Sequence, residues 1–261
     1  PMVSSIFAVK ALRNLGIVPN RTVALCFVAD EEIGSKYGIQ YLIKQGLFKK
    51  SDMIFVPDAG VSDGSLIEIA EKSSLWLEIR TVGKQTHAST PAEGINANRA
   101  GMTFALALDD MLHKKYADED KLFNPPTSTF EPTKKEGNVD AVNIVPGEDV
   151  LSFDCRILPK YDVAKVLKEI RDLAAVFEKK TKTKITVEVV NQQIAPTPTA
   201  EDAKIVVMLK EALMKTRGIS AKAGGIGGGT CAAFFRRMGI PAIVWATMDE
   251  LAHQPNEYAR R

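Results

Sequence analysis

Apolar residues recur at helical spacing over residues 3–14, where Val3, Ile6, Phe7, Val9 and Leu12 follow one another, and a continuous apolar run then occupies Val23–Val28. The first pattern predicts an amphipathic helix and the second a short buried strand. Tyr37–Gln45 reads as a second helix closed by Gly46, and Met53–Val56 as a second strand closed by Pro57. Buried strands alternating with helices predict an α/β domain built on a mostly parallel sheet, whose ligands gather at the carboxyl ends of the strands. Asp30-Glu31-Glu32 and Asp58 both stand at such ends.

From Ser74 the period changes. Leu75, Leu77 and Ile79 alternate with charged or amphipathic neighbours, as in a half-exposed antiparallel strand. A helix over Ala97–Leu112 follows, then a polar stretch around residues 116–137 that reads as a long loop, and two strands separated by Pro146-Gly147. The second strand places Leu151, Phe153, Cys155 and Ile157 on one face. A helix carrying Val163, Val166, Leu167, Ile170, Leu173 and Phe177, and a strand carrying Ile185, Val187 and Val189, complete a split βαβ unit. Past Pro196 and Pro198 the first style returns: a helix over Ala203–Lys215, a Gly-rich turn at Gly224–Gly229, a helix over Ala232–Met238 and a strand at Ala242–Trp245. The predicted organisation is an α/β domain over residues 1–73 and 192–261, with a ferredoxin-like α+β unit inserted at residues 74–191.

Composition narrows the class. The chain has 261 residues, 45% hydrophobic and 25% charged, which is enough to bury a core and excludes disordered and disulfide-scaffold classes. The net charge of +2 is spread along the chain, so no nucleic-acid partner is indicated. No apolar run reaches the ~18–20 residues of a membrane helix. Cys26, Cys155 and Cys231 lie in or beside apolar stretches, as buried reduced thiols would, which predicts a cytoplasmic protein. A helix already under way near Pro1 gives the expectation of a truncated beginning.

Three adjacent carboxylates raise one another's pKa, and a metal ion among them is the simplest remedy, although a solvated acidic loop is the plainer alternative. Asp58 adds oxygen ligands, and His253, a short loop beyond the Ala242–Trp245 strand, adds a nitrogen. Carboxylates with imidazole suit zinc, cobalt or manganese better than magnesium. His113 beside Lys114 and Lys115 reads as a solvated face, whereas His87 lies in a turn-rich segment able to present a side chain outward. The Gly224–Thr230 turn fails both the Gly-x-Gly-x-x-Gly frame and the P-loop pattern, but its amides could hold a carboxylate or carbonyl oxygen. Arg156 could grip a substrate carboxylate or pair with Asp154.

In order along the chain, Asp30-Glu31-Glu32, Pro57-Asp58-Ala59-Gly60, Gly83–Pro91 with His87-Ala88-Ser89, Gly94–Ala97, Asn143–Pro146, Asp154-Cys155-Arg156, Gly228–Thr230 and His253–Glu257 resemble the co-catalytic di-zinc amidohydrolase and peptidase family. Its members include aminoacylases, glutamate carboxypeptidases, acetylornithine deacetylases and succinyl-diaminopimelate desuccinylases. The resemblance spans essentially the whole chain, and it implies a zinc-binding α/β domain with an inserted lid that makes a homodimer. It implies Glu31 as general base, Glu32 and His253 on one metal and Asp58 on the other. It further implies His87 as an oxyanion donor to a neighbouring subunit's site, with Asn143, Arg156, Gly228, Gly229 and Thr230 on the substrate. The expected reaction is hydrolysis of an amide bond, in an N-acyl or N-succinyl amino acid or diamino acid or at a peptide C-terminus, with two divalent metal ions, zinc foremost. The family's upstream His-x-Asp motif and bridging Asp have no counterpart here, so the chain alone is expected to be inactive. A non-catalytic relative retaining the fold and dimer surface is the competing expectation.

Overall fold

The computed structural model describes residues 2–249, Leu251, Gln254–Asn256 and Tyr258. The chain divides into two compact units: Pro1–Ala70 with Pro196–Gly224 and Thr230–Arg261, and Glu71–Ala195 with Gly225–Gly229.

The second unit is a four-stranded antiparallel sheet with two long helices. Its strands are β3 (Ser73–Val82), β5 (Thr129–Lys135), β7 (Glu148–Ile157) and β8 (Lys184–Gln193), in the order β5-β7-β3-β8. The helices are α3 (Ala97–Lys115) and α4 (Val163–Thr181). Leu75, Leu77 and Ile79 of β3 and Phe153, Cys155 and Ile157 of β7 meet Phe104, Leu108 and Leu112 of α3 and Val166, Ile170 and Phe177 of α4. Strand residues two apart and helix residues three or four apart thus close one core, each large side chain contributing about 1.5–3 kcal/mol by leaving water. The Asn96 and Asp162 side chains begin the two helices, accepting from the Arg99 and Ala164 backbone N–H groups at 2.9 Å each.

One strand departs from the expectation. The polar stretch around residues 116–137 is not all loop, because its end forms β5 at the sheet edge. Only Phe130 of that strand is buried, while Pro132, Lys134 and Lys135 guard the edge and mask the alternation. Of the strands flanking Pro146-Gly147, the first is only β6 (Ile144–Val145), which pairs with β4 (Thr86–His87) in a separate two-stranded ribbon.

The first unit holds α1 (Met2–Asn14), α2 (Ile39–Lys44), β1 (Ile54–Val56), β2 (Leu66–Glu71), α5 (Lys204–Arg217), β9 (Lys222–Ile226), α6 (Ala232–Arg237) and β10 (Ala242–Val244); the ends of β2 and β9 belong to the second unit. The strand order is β1-β10-β2-β9. The sheet is mixed rather than mostly parallel: β1 and β10 are parallel, and β10 and β2 antiparallel. The Gly-rich stretch also begins as strand, since Gly224 and Gly225 lie in β9. Inside this unit the Arg236 guanidinium and the Glu68 carboxylate form a fully buried pair, with Nη1 2.8 Å from Oε1 and Nη2 3.1 Å from Oε2. Arg236 also donates to the Ala242 carbonyl, so α6, β2 and β10 are tied by one charged group.

The predicted strand at Val23–Val28 does not form. A run of apolar residues becomes a strand only with a ladder partner, and among the described residues this segment has none. Val23, Leu25 and Phe27 remain 52%, 40% and 49% exposed. The helix over residues 3–14 does form as α1, yet it buries no residue fully. Among the described residues no helix is long and apolar enough to cross a membrane.

All three cysteines are free thiols, but Cys26 is exposed, against the expectation of three buried ones, because it sits in the unpaired 23–28 segment. Cys231 packs beside Ile39 and Phe235. Burial, and secondarily the Asp154 charge, push the Cys155 thiol up to about 12, so at neutral pH it stays protonated and inert. In the native protein one thiol, Cys26, reacts promptly with Ellman's reagent at pH 8, and Cys155 and Cys231 follow only in denaturant. Prompt reaction of all three, or loss of no signal in Cys26→Ser, contradicts this packing.

Candidate active site

Loop geometry sorts the acidic run into different tasks. Asp30 adopts the left-handed conformation at φ 57°, which Asp tolerates better than most residues. Its carboxylate turns back to accept from the backbone N–H groups of Tyr37 at 2.7 Å and Gly38 at 2.8 Å. A side chain at Gly38 has no room, since its Cβ would lie 2.1 Å from the Ala29 carbonyl oxygen. Asp30 therefore builds the loop. Glu31 and Glu32 occupy the short 3-10 turn Glu31–Ile33 that the loop supports, Glu31 half-buried and Glu32 exposed.

Asp58 follows β1 directly after Pro57. Because β1 and β10 run parallel, the chain leaves both strands at the same sheet edge, where the Trp245 N–H donates to the Val56 carbonyl at 3.1 Å. His253, on the chain beyond β10, lies outside the described residues. Asp58 is exposed by accessible surface, yet partial desolvation by the atoms behind it, followed by the charge of Glu32, holds its carboxyl above the usual carboxylate range. Glu32 and Asp58, from different elements, are thus close enough to act on each other. Among the described residues no group of three or more His, Cys, Asp or Glu is placed to hold a metal ion.

In the second unit the ribbon of β4 and β6 sets His87 opposite Ile144, with the Ala88 N–H donating to the Asn143 carbonyl at 2.8 Å. This brings together two residues that lie far apart in sequence: His87 Nε2 is 3.3 Å from the Asn143 amide nitrogen. Ser89, which the sequence marks only as part of the His-Ala-Ser segment, stands beside the ring, its Oγ 2.7 Å from Nδ1. Both His87 and Asn143 are exposed. Arg156 takes its structural alternative: Nε and Nη2 grip Asp154 at 2.6 and 2.8 Å, and Nη1 donates to the Gly227 carbonyl at 3.1 Å. The guanidinium also lies over the Trp76 ring, 5.9 Å from its centroid. It therefore secures the Gly-rich turn, leaving its fork already engaged. Gly229 passes close to Gln193, whose Oε1 would be 2.9 Å from an added Cβ, whereas Gly228 has open space there. In the first unit Thr230 is buried, its Oγ1 accepting from the Ala232 N–H at 3.2 Å. His113 stands on an exposed face of α3 beside Asp109, as its lysine neighbours suggest.

An α/β unit with Asp58 at a strand end and an acidic turn at Glu31–Ile33, interrupted by an antiparallel two-helix unit with an outward histidine, is the arrangement to set beside known proteins. Residues 69–182 match the family model described as a peptidase dimerisation domain. An uncharacterised metallohydrolase of Methanococcus maripaludis is 40% identical over 275 residues, which cover 99% of this chain and 66% of that protein. A succinyl-diaminopimelate desuccinylase of a Nitratiruptor species is 25% identical over 90% of this chain and 63% of its own length. The fold is shared with the crystal structure of the aminopeptidase PepT of Bacillus cereus, at a TM-score of 0.68 and 18% identity, over 94% of this chain and 61% of that one. The chain belongs to the metallohydrolase family of peptidases and amidohydrolases that carry this dimerisation domain. It spans 66% of the length of the first of these curated relatives and 63% of the second.

The loop role of Asp30 is separable from chemistry. Asp30→Ala removes two charge-assisted hydrogen bonds and leaves Ala at positive φ, so it lowers unfolding stability in urea by about 1–3 kcal/mol. Glu32→Ala, in the exposed part of the turn, changes stability by less than about 0.5 kcal/mol. Equal effects of the two substitutions contradict this division.

Proposed function

We propose that this protein is a metal-dependent hydrolase that cleaves an amide bond in an N-acyl or N-succinyl amino acid or diamino acid, or at a peptide C-terminus. The observation that carries the reading is the acidic turn of Glu31 and Glu32 together with Asp58, whose carboxyl is held above the usual range first by desolvation and then by the charge of Glu32. Desuccinylase and aminopeptidase activities among the similar proteins support amide hydrolysis over other metal chemistry. Glu32 and His253 hold one divalent metal and Asp58 a second, zinc in our reading, with cobalt or manganese as alternatives. When bound, these metals acidify a water and polarise the amide carbonyl.

The remaining work falls to the protein. Glu31, half-buried beside the ligands, takes the proton of the attacking water and returns it to the leaving nitrogen. His87 donates to the oxyanion of a neighbouring subunit's substrate, with Asn143 beside it. Arg156 fixes the Gly-rich segment through the Gly227 carbonyl, and Gly228, Gly229 and Thr230 are assigned to the substrate by the family resemblance. The match of residues 69–182 to a dimerisation domain supports a homodimer through the inserted unit, and three free cysteines support the reducing cytoplasm.

Metal content separates the two glutamates. After dialysis against micromolar zinc, elemental analysis finds metal retained in Glu31→Gln and largely lost in Glu32→Gln. In an active form of the protein, Glu31→Gln lowers kcat about 10²–10⁴-fold while KM stays within a few-fold, as removal of a general base does. Equal metal loss in both variants overturns the assignment.

A further inference from the structure

The ring of His87 has three polar neighbours, and their demands on its protons conflict unless one is rearranged. Ser89 places its backbone N–H 3.2 Å from Nδ1, and its hydroxyl is 2.7 Å from the same atom. On the other side the Asn143 side-chain nitrogen is 3.3 Å from Nε2. Taken literally, both ring nitrogens receive a proton, yet a neutral imidazole carries one N–H of its own.

Rigidity decides which neighbour yields. The Ser89 backbone N–H can only donate and cannot turn away without moving the segment that runs on from β4. The Ser89 hydroxyl rotates freely, and a half-turn of the Asn143 amide exchanges its oxygen and nitrogen with no change of shape. The opposite arrangement, with the proton on Nδ1 donated to the Ser89 hydroxyl, sets the backbone N–H of Ser89 against the N–H of the ring.

We infer that Ser89 is a positioning residue that keeps neutral His87 in the form protonated on Nε2, and that the Asn143 side-chain oxygen is the resting acceptor of that proton. The pair is then built to receive a carbonyl or anionic oxygen. An incoming oxygen replaces the Asn143 oxygen on the Nε2 proton, and the amide nitrogen of Asn143 supplies a second donor after the reverse half-turn. The functional meaning rests on the proposed role of His87, whereas the ring's proton position does not.

Long-range proton–nitrogen NMR of the labelled 1–261 chain at pH 8.5, about two units above the ordinary histidine value, reads the proton position directly. The His87 signal is assigned by its loss in His87→Ala. The expected spectrum shows Nε2 as the protonated nitrogen and Nδ1 as the lone-pair nitrogen. It keeps that pattern in Ser89→Ala, which retains the backbone N–H, and in Asn143→Asp, which offers only acceptors. A proton on Nδ1 or an even mixture in the parent chain overturns the inference. So does a switch of tautomer in Asn143→Asp, because it means that the Asn143 nitrogen had been donating to Nε2. Unchanged amide hydrolysis in His87→Ala of an active form of the protein, alongside the expected spectrum, overturns the functional reading and leaves the tautomer standing.

Discussion

Carboxylates resist being gathered, and the first unit carries four of them, Asp30, Glu31, Glu32 and Asp58, on two short segments. Desolvation by the surrounding protein raises the pKa of Asp58, and the charge of Glu32 adds to it. A fold tolerates such an arrangement when a cation offsets the repulsion, and the local structure is spent on maintaining it. Asp30 takes a left-handed backbone, Gly38 gives up its side chain to a 2.1 Å approach, and two backbone amides hold the Asp30 carboxylate. The parallel pairing of β1 with β10 brings Asp58 and the start of the segment leading to His253 to one sheet edge. Family membership and this acidic edge are mutually consistent: a metallohydrolase needs oxygen ligands held ready before the metal arrives.

The inserted unit obeys a different constraint. Its core is continuous from β5 through β8 and both long helices, so it holds its shape by itself. That rigidity lets a small two-stranded ribbon present His87 and Asn143 side by side on an exposed surface. The role proposed for His87, donating to another subunit's substrate, would require a side chain that is accessible in the isolated chain and still oriented. The hydrogen bonds from Ser89 and the backbone bond between Ala88 and Asn143 supply the orientation that burial does not.

What could be read in the sequence depended on whether a feature is local. The alternation of Leu151, Phe153, Cys155 and Ile157, and the helical spacing of Val163, Val166, Ile170 and Phe177, are set within one element and were legible. Edge strand β5 was not, because Pro132, Lys134 and Lys135 serve solubility and hide the one inward residue, Phe130. Val23–Val28 has the composition of a strand, but pairing is a property of two segments and no composition supplies the second. At the site, residue types marked the acidic run, while the division between Asp30 and the two glutamates needed a positive φ and the amides of Tyr37 and Gly38. Arg156 was readable only as two alternatives, since Asp154 lies two residues away on the same strand face and competes with any substrate for the same fork.

The central claim, that the acidic edge exists to hold metal, is tested most directly by anomalous diffraction at the zinc edge from crystals of the chain grown with zinc. The expected map shows a peak contacted by carboxylate oxygens of Glu32 or Asp58, with Glu31 nearby and Asp30 still bound to the Tyr37 and Gly38 amides. A map with no peak at this edge, or with zinc held elsewhere while Glu32 and Asp58 pair with protein cations, would contradict it.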